Sequence, residues 1–309
     1  MKVQTSSFAS GSWSKEPDGS LDSEQTLVVI FGASQIIDQP GPIQRVIEAY
    51  PRSKIIGCSS SGEIHGTRVL DDSLAVAVAK FDRVALRLAQ APISGTAESL
   101  AAGREIAGKL NAPDLRAVLM LSDGLHVNGS ELVRGVNSIL PASVTVTGGL
   151  AGDGDRFKRT WVIADRRLTP GFVAAVGLYG DATHVGHGSK GGWDPFGVER
   201  LVTRSKGNML FELDGKPALQ LYKQYLGLRA SELPAAGLLF PLTLRSGPDQ
   251  DKRLVLGERA EEETEATLEV LPQDTQQIGF YSYGEISPYT TGHCDLHNQT
   301  MTLTAISEA

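Results

Sequence analysis

Cysteine is scarce. Cys58 and Cys294 are the only two in 309 residues, so no disulfide framework staples the chain, and the usage suits a reducing compartment. Long apolar runs are missing as well. The longest, TLVVIFGA and GFVAAVGLYG, are strand-sized and fall far short of the roughly 20 residues that a bilayer-spanning helix needs. The opening stretch MKVQTSSFASGSWSKEPDGSLDSEQ has no apolar core of a secretory signal. Basic charge is in deficit: 29 Lys and Arg face 36 Asp and Glu, giving a net charge of −7. That balance argues against nucleic acid or an anionic membrane as the main partner. The expectation is a cytoplasmic protein with neither kind of partner.

Several catalytic signatures are absent too. A Walker A motif does not occur, and GHGSKGGW lacks its spacing. Gly186, Gly188 and Gly191 form a loose G-x-G-x-x-G, but no helical pattern follows them, so a dinucleotide fingerprint is discounted. A nucleophile elbow needs G-x-S-x-G, and GCSSSG and GFYSYG each carry one residue too many. Ser59, Ser60, Ser61 and Ser282 are therefore weak nucleophiles. No C-x-x-C-H for covalent haem attachment is present. His293, Cys294 and His297 come close together, but a zinc site would need a fourth ligand and a second pair.

What is present is alternation of strand and helix. TLVVIFG and SKIIGCS are short, β-branched apolar runs that predict buried strands. Between them PGPIQRVIEAY places Ile43, Val46, Ile47 and Tyr50 at helical spacing. DSLAVAVAKF and VALRLAQ predict a pair of antiparallel strands. TAESLAAGREIAGKLN predicts a helix capped by Thr96. RAVLMLSDG, SELVRGVNSIL and SVTVTGG continue the strand–helix–strand order, and TWVIADRRLTPGFVAAVGLYG predicts a hairpin. The fold class is α/β, with mixed, mostly parallel sheets, crossover helices and added hairpins. Further on, GKPALQLYKQYLG predicts a helix with Leu219, Tyr222 and Leu226 on one side. ERAEEETEATLEVL predicts an acidic helix, and QTMTLTAI a strand. The polar, Ser-rich residues 1–24 are expected to be loosely ordered. Residues 25–214 and 215–309 make two domains.

One pattern recurs. Gly57–Ile64 and Gly279–Ile286 both read G-x-x-S-x-G-E-I. Residues 148–154, Gly-Gly-Leu-Ala-Gly-Asp-Gly, form a looser copy with Asp153 in place of the Glu. Glycines after a strand allow positive φ and expose backbone N–H groups to a ligand. An adjacent acid can hold an ammonium or a hydroxyl. In open α/β sheets ligands sit at the carboxyl ends of strands, where these turns fall. The alternative is that the glycines serve turn geometry alone.

The segments GCSSSGEI, GGLAGDGDRF, NMLFELDGKPALQLYKQYLG, GFYSYGEISP and CDLHNQTMTLT resemble, in order, the hallmark segments of FIST proteins, which join a FIST N and a FIST C domain. The resemblance runs from about residue 25 to the C-terminus. It implies a bacterial intracellular sensory module that binds a small ligand such as an amino acid and acts through a separate signalling protein. On that basis 25–214 is FIST N-like and 215–309 FIST C-like, the latter shortened between about 247 and 252. Some members resemble haem-containing nitric-oxide sensors that regulate a histidine kinase or a cyclic-dinucleotide enzyme. Haem needs only one proximal histidine in an apolar pocket, and His65, His126, His187 and His297 all qualify. The ligand-binding set is Gly57, Ser59, Gly62, Glu63, Gly149, Asp153, Tyr281, Tyr283, Gly284, Glu285 and Asn298. Here Glu63 and Glu285 make polar contacts, and the tyrosines supply apolar flanks. A non-catalytic sensor is the leading reading. The alternatives are the haem sensor and an enzyme acting on a small amino or hydroxy acid, with Glu63 or Glu285 as general base.

Overall fold

A computed structural model describes residues 1–191, 193–206, 209–233, 235–240 and 242–245, and the backbone of strands at 253–255, 268–269, 277–283, 293–295 and 300–308. The chain divides into two compact units. The first is Met1–Ser189 with Pro288–Leu296 and Met301–Ala309; the second is Lys190–Ser287 with His297–Thr300.

In chain order the first unit carries β1 (Lys2–Ala9), β2 (Ser12–Trp13), β3 (Thr26–Ala33), α1 (Gly41–Ala49), β4 (Lys54–Ser60), β5 (Glu63–His65), β6 (Arg68–Leu70) and β7 (Leu74–Lys80). Then follow β8 (Ala85–Pro92), α2 (Ser99–Leu110), β9 (Leu115–Ser122), α3 (Gly129–Asn137), β10 (Thr145–Leu150), β11 (Val162–Ala164), β12 (Arg167–Thr169) and β13 (Phe172–Tyr179). These strands form two main sheets, ordered β12-β11-β4-β3-β7-β1-β2 and β10-β9-β13-β8, and a small β5-β6 pair.

Three apolar clusters show how they stack. Leu27, Ile56 and Cys58 of the wide sheet meet Ala117, Leu121 and Val176 of the narrow one. Ile43 and Val46 of α1 pack on Val28, Ile30 and Val76. Ile106 of α2 and Leu132 and Val136 of α3 pack on Val118 and Val173. The unit is therefore a four-layer helix–sheet–sheet–helix sandwich. The central strands lie between a helix and the other sheet, which explains the continuous apolar runs of β3 and β13.

The α/β class with mixed sheets is as expected, but the balance tilts to antiparallel. β3–β4 and β9–β10 are parallel, and the other described ladders are antiparallel. Residues 2–9, expected to be loosely ordered, form β1, which pairs with β7 from Lys2↔Lys80 to Phe8↔Leu74. Backbone pairing holds this strand although its sequence is polar, and Ser6 and Ser7 are buried. Neighbouring strands β7 and β8 do not pair with each other; β7 joins β1 and β3, while β8 joins β13. Local adjacency suggested a hairpin, and the sandwich splits it. Likewise β11 and β12 make the expected hairpin, but β13 crosses to the other sheet. Thr96 opens a short 3₁₀ turn, and α2 begins at Ser99.

The two sheets repeat one topology. The chain order β1, β3, α1, β4, β7 gives the sheet order β4-β3-β7-β1, and β8, β9, α3, β10, β13 gives β10-β9-β13-β8. The correspondence extends to single residues. A Cβ on Gly57 would lie 2.3 Å from the Ile30 carbonyl, and one on Gly148 would lie 1.7 Å from the Met120 carbonyl. In each case the carbonyl belongs to the residue in register on the parallel partner. Each glycine lets a β-strand press against its neighbour where no side chain fits.

After β14 (Thr183–Gly191), the second unit carries β15 (Trp193–Lys206), β16 (Met209–Leu213), β17 (Lys216–Pro217), α4 (Ala218–Leu226), α5 (Ala235–Leu239), β18 (Leu242–Arg245), β19 (Arg253–Val255), β20 (Leu268–Glu269) and β21 (Gln277–Tyr283). Leu219, Tyr222 and Leu226 are buried together, as their spacing predicts. Leu268–Glu269 is a strand on β16 rather than the end of an acidic helix. The remainder of that stretch, and the shortened segment near 247–252, lie outside the described residues.

Gly57→Ala should lower the unfolding free energy by about 1–3 kcal/mol, the cost of overpacking a filled site. Gly149→Ala should be close to neutral, because nothing lies within 4 Å of its added Cβ. Chemical denaturation of the pair checks this.

Candidate functional site

The carboxyl ends of both parallel pairs converge, and buried acids organise the loops there. Glu63 begins β5 and is 1% exposed. Its carboxylate accepts from Ser60 Oγ at 2.7 Å, from Ser73 Oγ at 2.7 Å and from Ser73 N at 3.2 Å. Burial nevertheless prevails over these bonds and holds its pKa above the ordinary glutamate value.

Asp153 follows β10 and is fully buried. It accepts from Ser34 Oγ, from Arg156 Nε at 3.0 Å, and from the backbone of Lys158 at 2.8 Å and Arg159 at 3.0 Å. Burial pushes this carboxyl up, but the hydrogen bonds more than offset it and leave the pKa below the ordinary range.

Asp123 follows β9 and is likewise fully buried. It gathers the N–H groups of Leu125 and His126 at 2.8 Å each and of Gly171 at 3.0 Å, together with Thr160 Oγ1 at 2.9 Å. Here too burial raises the pKa and the hydrogen bonds outweigh it, so the group stays anionic. His126 Nδ1 stands 2.9 Å from Asp123 Oδ1 with its ring about half exposed. Against an anionic carboxylate that nitrogen is the donor, which fixes the orientation of the ring. Asp123 is not among the site residues singled out from the sequence; an acid directly after a β-strand was the available signal.

The first and third copies of the recurring motif meet. Gly152 N donates to Ser59 O at 2.8 Å, and Gly154 N donates to Ser61 Oγ at 2.9 Å. Ser59 Oγ also accepts from Trp161 N at 3.2 Å. Gly57 lies inside β4, where its role is close packing. Gly149 lies in β10, and Gly62 is the buried turn residue before Glu63.

The second copy is placed differently. Tyr281 and Tyr283 belong to β21, in register with Pro195 and Trp193 of β15, so the aromatic stretch is a strand rather than a turn. Gly284, Glu285, Asn298 and His297 lie outside the described residues. His187 falls in β14. His65 is half-buried, with Nδ1 3.2 Å from Ser7 Oγ.

Two hollows flank this region. The first, of about 420 Å³, is lined by Val29, Phe31, Ala75 and Ala77 on one face of the wide sheet, with Gly62, Glu63 and His65 at its side. Four strands cannot cover seven, and two alanines in register with Phe31 and Val29 leave the space. The second, of about 790 Å³, opens at the end of β3 between Gln35, Asp38, Asp72 and the start of α1.

Residues 26–216 match the FIST N domain. The chain belongs to this family. Membership points to a sensory or signal-transduction role. Two proteins of Mycobacterium tuberculosis are similar to it: uncharacterized protein MT0656 of strain CDC 1551 / Oshkosh and uncharacterized protein Rv0628c of strain H37Rv. Each is 28% identical over 215 residues, covering 67% of this chain and 53% of the relative. The chain thus spans about half the length of these curated relatives. Among the described residues of the FIST N domain and beyond, no helix is long and apolar enough to cross a membrane. Nor do any three His, Cys, Asp or Glu residues there gather to hold a metal ion.

The two acids should respond to pH with opposite signs. The depressed Asp123 contributes stability that is complete above about pH 4 and is lost as pH falls through its folded pKa. The deficit of Asp123→Asn, about 1–3 kcal/mol at neutral pH, should therefore shrink on acidification. The raised pKa of Glu63 works the other way: its favourable contribution is present below about pH 4 and is lost as pH rises through the folded value. Relative to Glu63→Gln, the parent should lose stability from pH 4 toward neutrality, as read by denaturation at a series of pH values.

Proposed function

We propose that the chain is a non-catalytic sensory domain. It binds an amino acid or similar small molecule in the hollow beside Glu63 and passes its state by contact to a separate signalling protein, a histidine kinase or a cyclic-dinucleotide enzyme. The observation that carries this reading is a nearly fully buried carboxylate beside an apolar hollow of about 420 Å³, within the size range of small-molecule sites. Burial makes the charged form of Glu63 costly. A ligand ammonium would relieve that cost, and an apolar side chain would cover Phe31 and Val29. Ser73, directly before β7, links the carboxylate to β3 as well, because its N–H and hydroxyl hold Glu63 while its carbonyl accepts from Ala33 N of β3 at 3.0 Å. A ligand acting on Glu63 thereby acts on the joint between two strands, and signalling follows from differential affinity for two arrangements of that joint.

A thermal-shift panel of amino acids tests this. A ligand at 100 times its Kd should add about 2.7 kcal/mol to stability, with no turnover of the ligand. Glu63→Gln should abolish that gain, and an undiminished gain in the variant would sink the assignment.

A second reading is favoured by His126. Among the described candidates it is the one whose Nδ1 is held by a buried carboxylate, the arrangement that orients a metal-ligating imidazole. On this reading His126 would hold the haem, and Asp123 would set the ring's orientation. When bound, the haem would supply the diatomic-gas chemistry. After incubation with haem and gel filtration, this reading expects a retained Soret band that His126→Ala loses. A featureless visible spectrum of the parent would end it.

A further inference from the structure

The repeated topology allows the two halves of the first unit to be compared atom by atom at the ends of their central strands. Ala33 N donates to Ser73 O, and Asp123 N donates to Phe172 O, at 3.0 and 2.8 Å. Ala33 therefore corresponds to Asp123, Gln35 to Leu125, and Asp72 to Gly171. The last pair shares an uncommon backbone, φ +49° at Asp72 and φ +66° at Gly171. In the second half the Asp123 carboxylate fills this corner and collects the N–H groups of Leu125 and Gly171. In the first half the corresponding side chain is a methyl group. Ala33, Gln35 and Asp72 instead line the open crevice of about 790 Å³. No described partner occupies the N–H groups of Gln35 and Asp72.

The geometry points to a carboxylate-binding site in this crevice: a ligand carboxylate takes in the first half the place that the Asp123 side chain takes in the second. The walls narrow the ligand class. Asp38 and Asp72 line the same crevice. Asp38 is paired with Arg159 at 2.7 Å, whereas Asp72 accepts from the neutral Gln35 Nε2 at 2.6 Å and keeps its charge, so Asp72 is the acid that disfavours a simple anion. A zwitterion, with a cationic group a short chain away from its carboxylate, meets both demands. Phe8, Ile36, Pro40 and Pro42 supply apolar walls for the rest of the molecule. This is also the crevice at the end of the central strand, beside the start of the crossover helix, where open α/β sheets place ligands. The site goes beyond the Glu63 hollow and uses different residues. Ser73 stands between the two, bonded to Glu63 and adjacent to Asp72.

Amide NMR of the full chain, titrated with glycine and with acetate, tests the proposal. Glycine should shift the Gln35 and Asp72 amides, and acetate should bind more weakly. Ala33→Asp supplies the missing carboxylate internally and should weaken glycine by about tenfold or more. Asp72→Gly keeps the N–H and the positive φ but removes the wall charge, so it should narrow the preference for glycine over acetate. Glu63→Gln should leave these shifts in place even if it abolishes binding in the neighbouring hollow, so the two sites fail separately. Unmoved Gln35 and Asp72 amides in the parent at millimolar glycine would overturn the proposal. So would a folded Ala33→Asp variant that binds glycine as tightly as the parent; should that variant not fold, the parent's amide shifts decide.

Discussion

A carboxylate removed from water must find hydrogen bonds for its oxygens or give up its charge, and the loops of the first unit are arranged around that demand. Asp123 and Asp153 are solved in the same way: each collects two or more backbone N–H groups and a hydroxyl, and each stays ionised. Glu63 is only partly solved, because three bonds do not outweigh its burial. That difference separates acids that hold loops in place from an acid that still gains from a partner. The loops after β4 and β10 are joined directly as well, with Ser59 O and Ser61 Oγ accepting from Gly152 N and Gly154 N.

Much of this was legible in the sequence. Unbroken apolar runs such as TLVVIFG announced strands covered on both faces, and the helical spacing of Ile43 and Val46 announced the layer over them. The acids after glycine-bearing turns, Glu63 and Asp153, pointed to the strand ends where the structure buries them. What was hidden depends on long-range pairing. β1 carries Gln, Thr and Ser where a core strand would carry apolar residues, and it is a strand only because β7 offers it a ladder. Neighbours β7 and β8 part company because β7 is already paired on both sides by β1 and β3, while β8 pairs with β13 in the other sheet. Asp123 escaped notice because its value lies in Gly171 and Thr160, which follow it by 48 and 37 positions.

The repeat was partly legible. Of the three copies of the motif, the fold relates residues 57–64 after β4 to the looser copy at 148–154 in and after β10, whereas residues 279–283 of the remaining copy lie in β21. Shared topology survives sequence divergence better than shared letters, and it gives each half an internal reference. One half keeps its corner filled by its own acid, and the other leaves the corner open. A sensory domain needs one such unfilled place, and the FIST N domain here offers two neighbouring hollows tied through Ser73.

The account's central claim is that the carboxyl ends of the two parallel pairs form the ligand-responsive face. Hydrogen-exchange mass spectrometry of the full chain, with and without an amino acid that raises its melting temperature, tests this most directly. The account predicts slowed exchange concentrated in residues 33–36, 59–64, 71–75 and 151–154. Slowed exchange confined to other segments of the first unit, with these peptides unchanged, would contradict it.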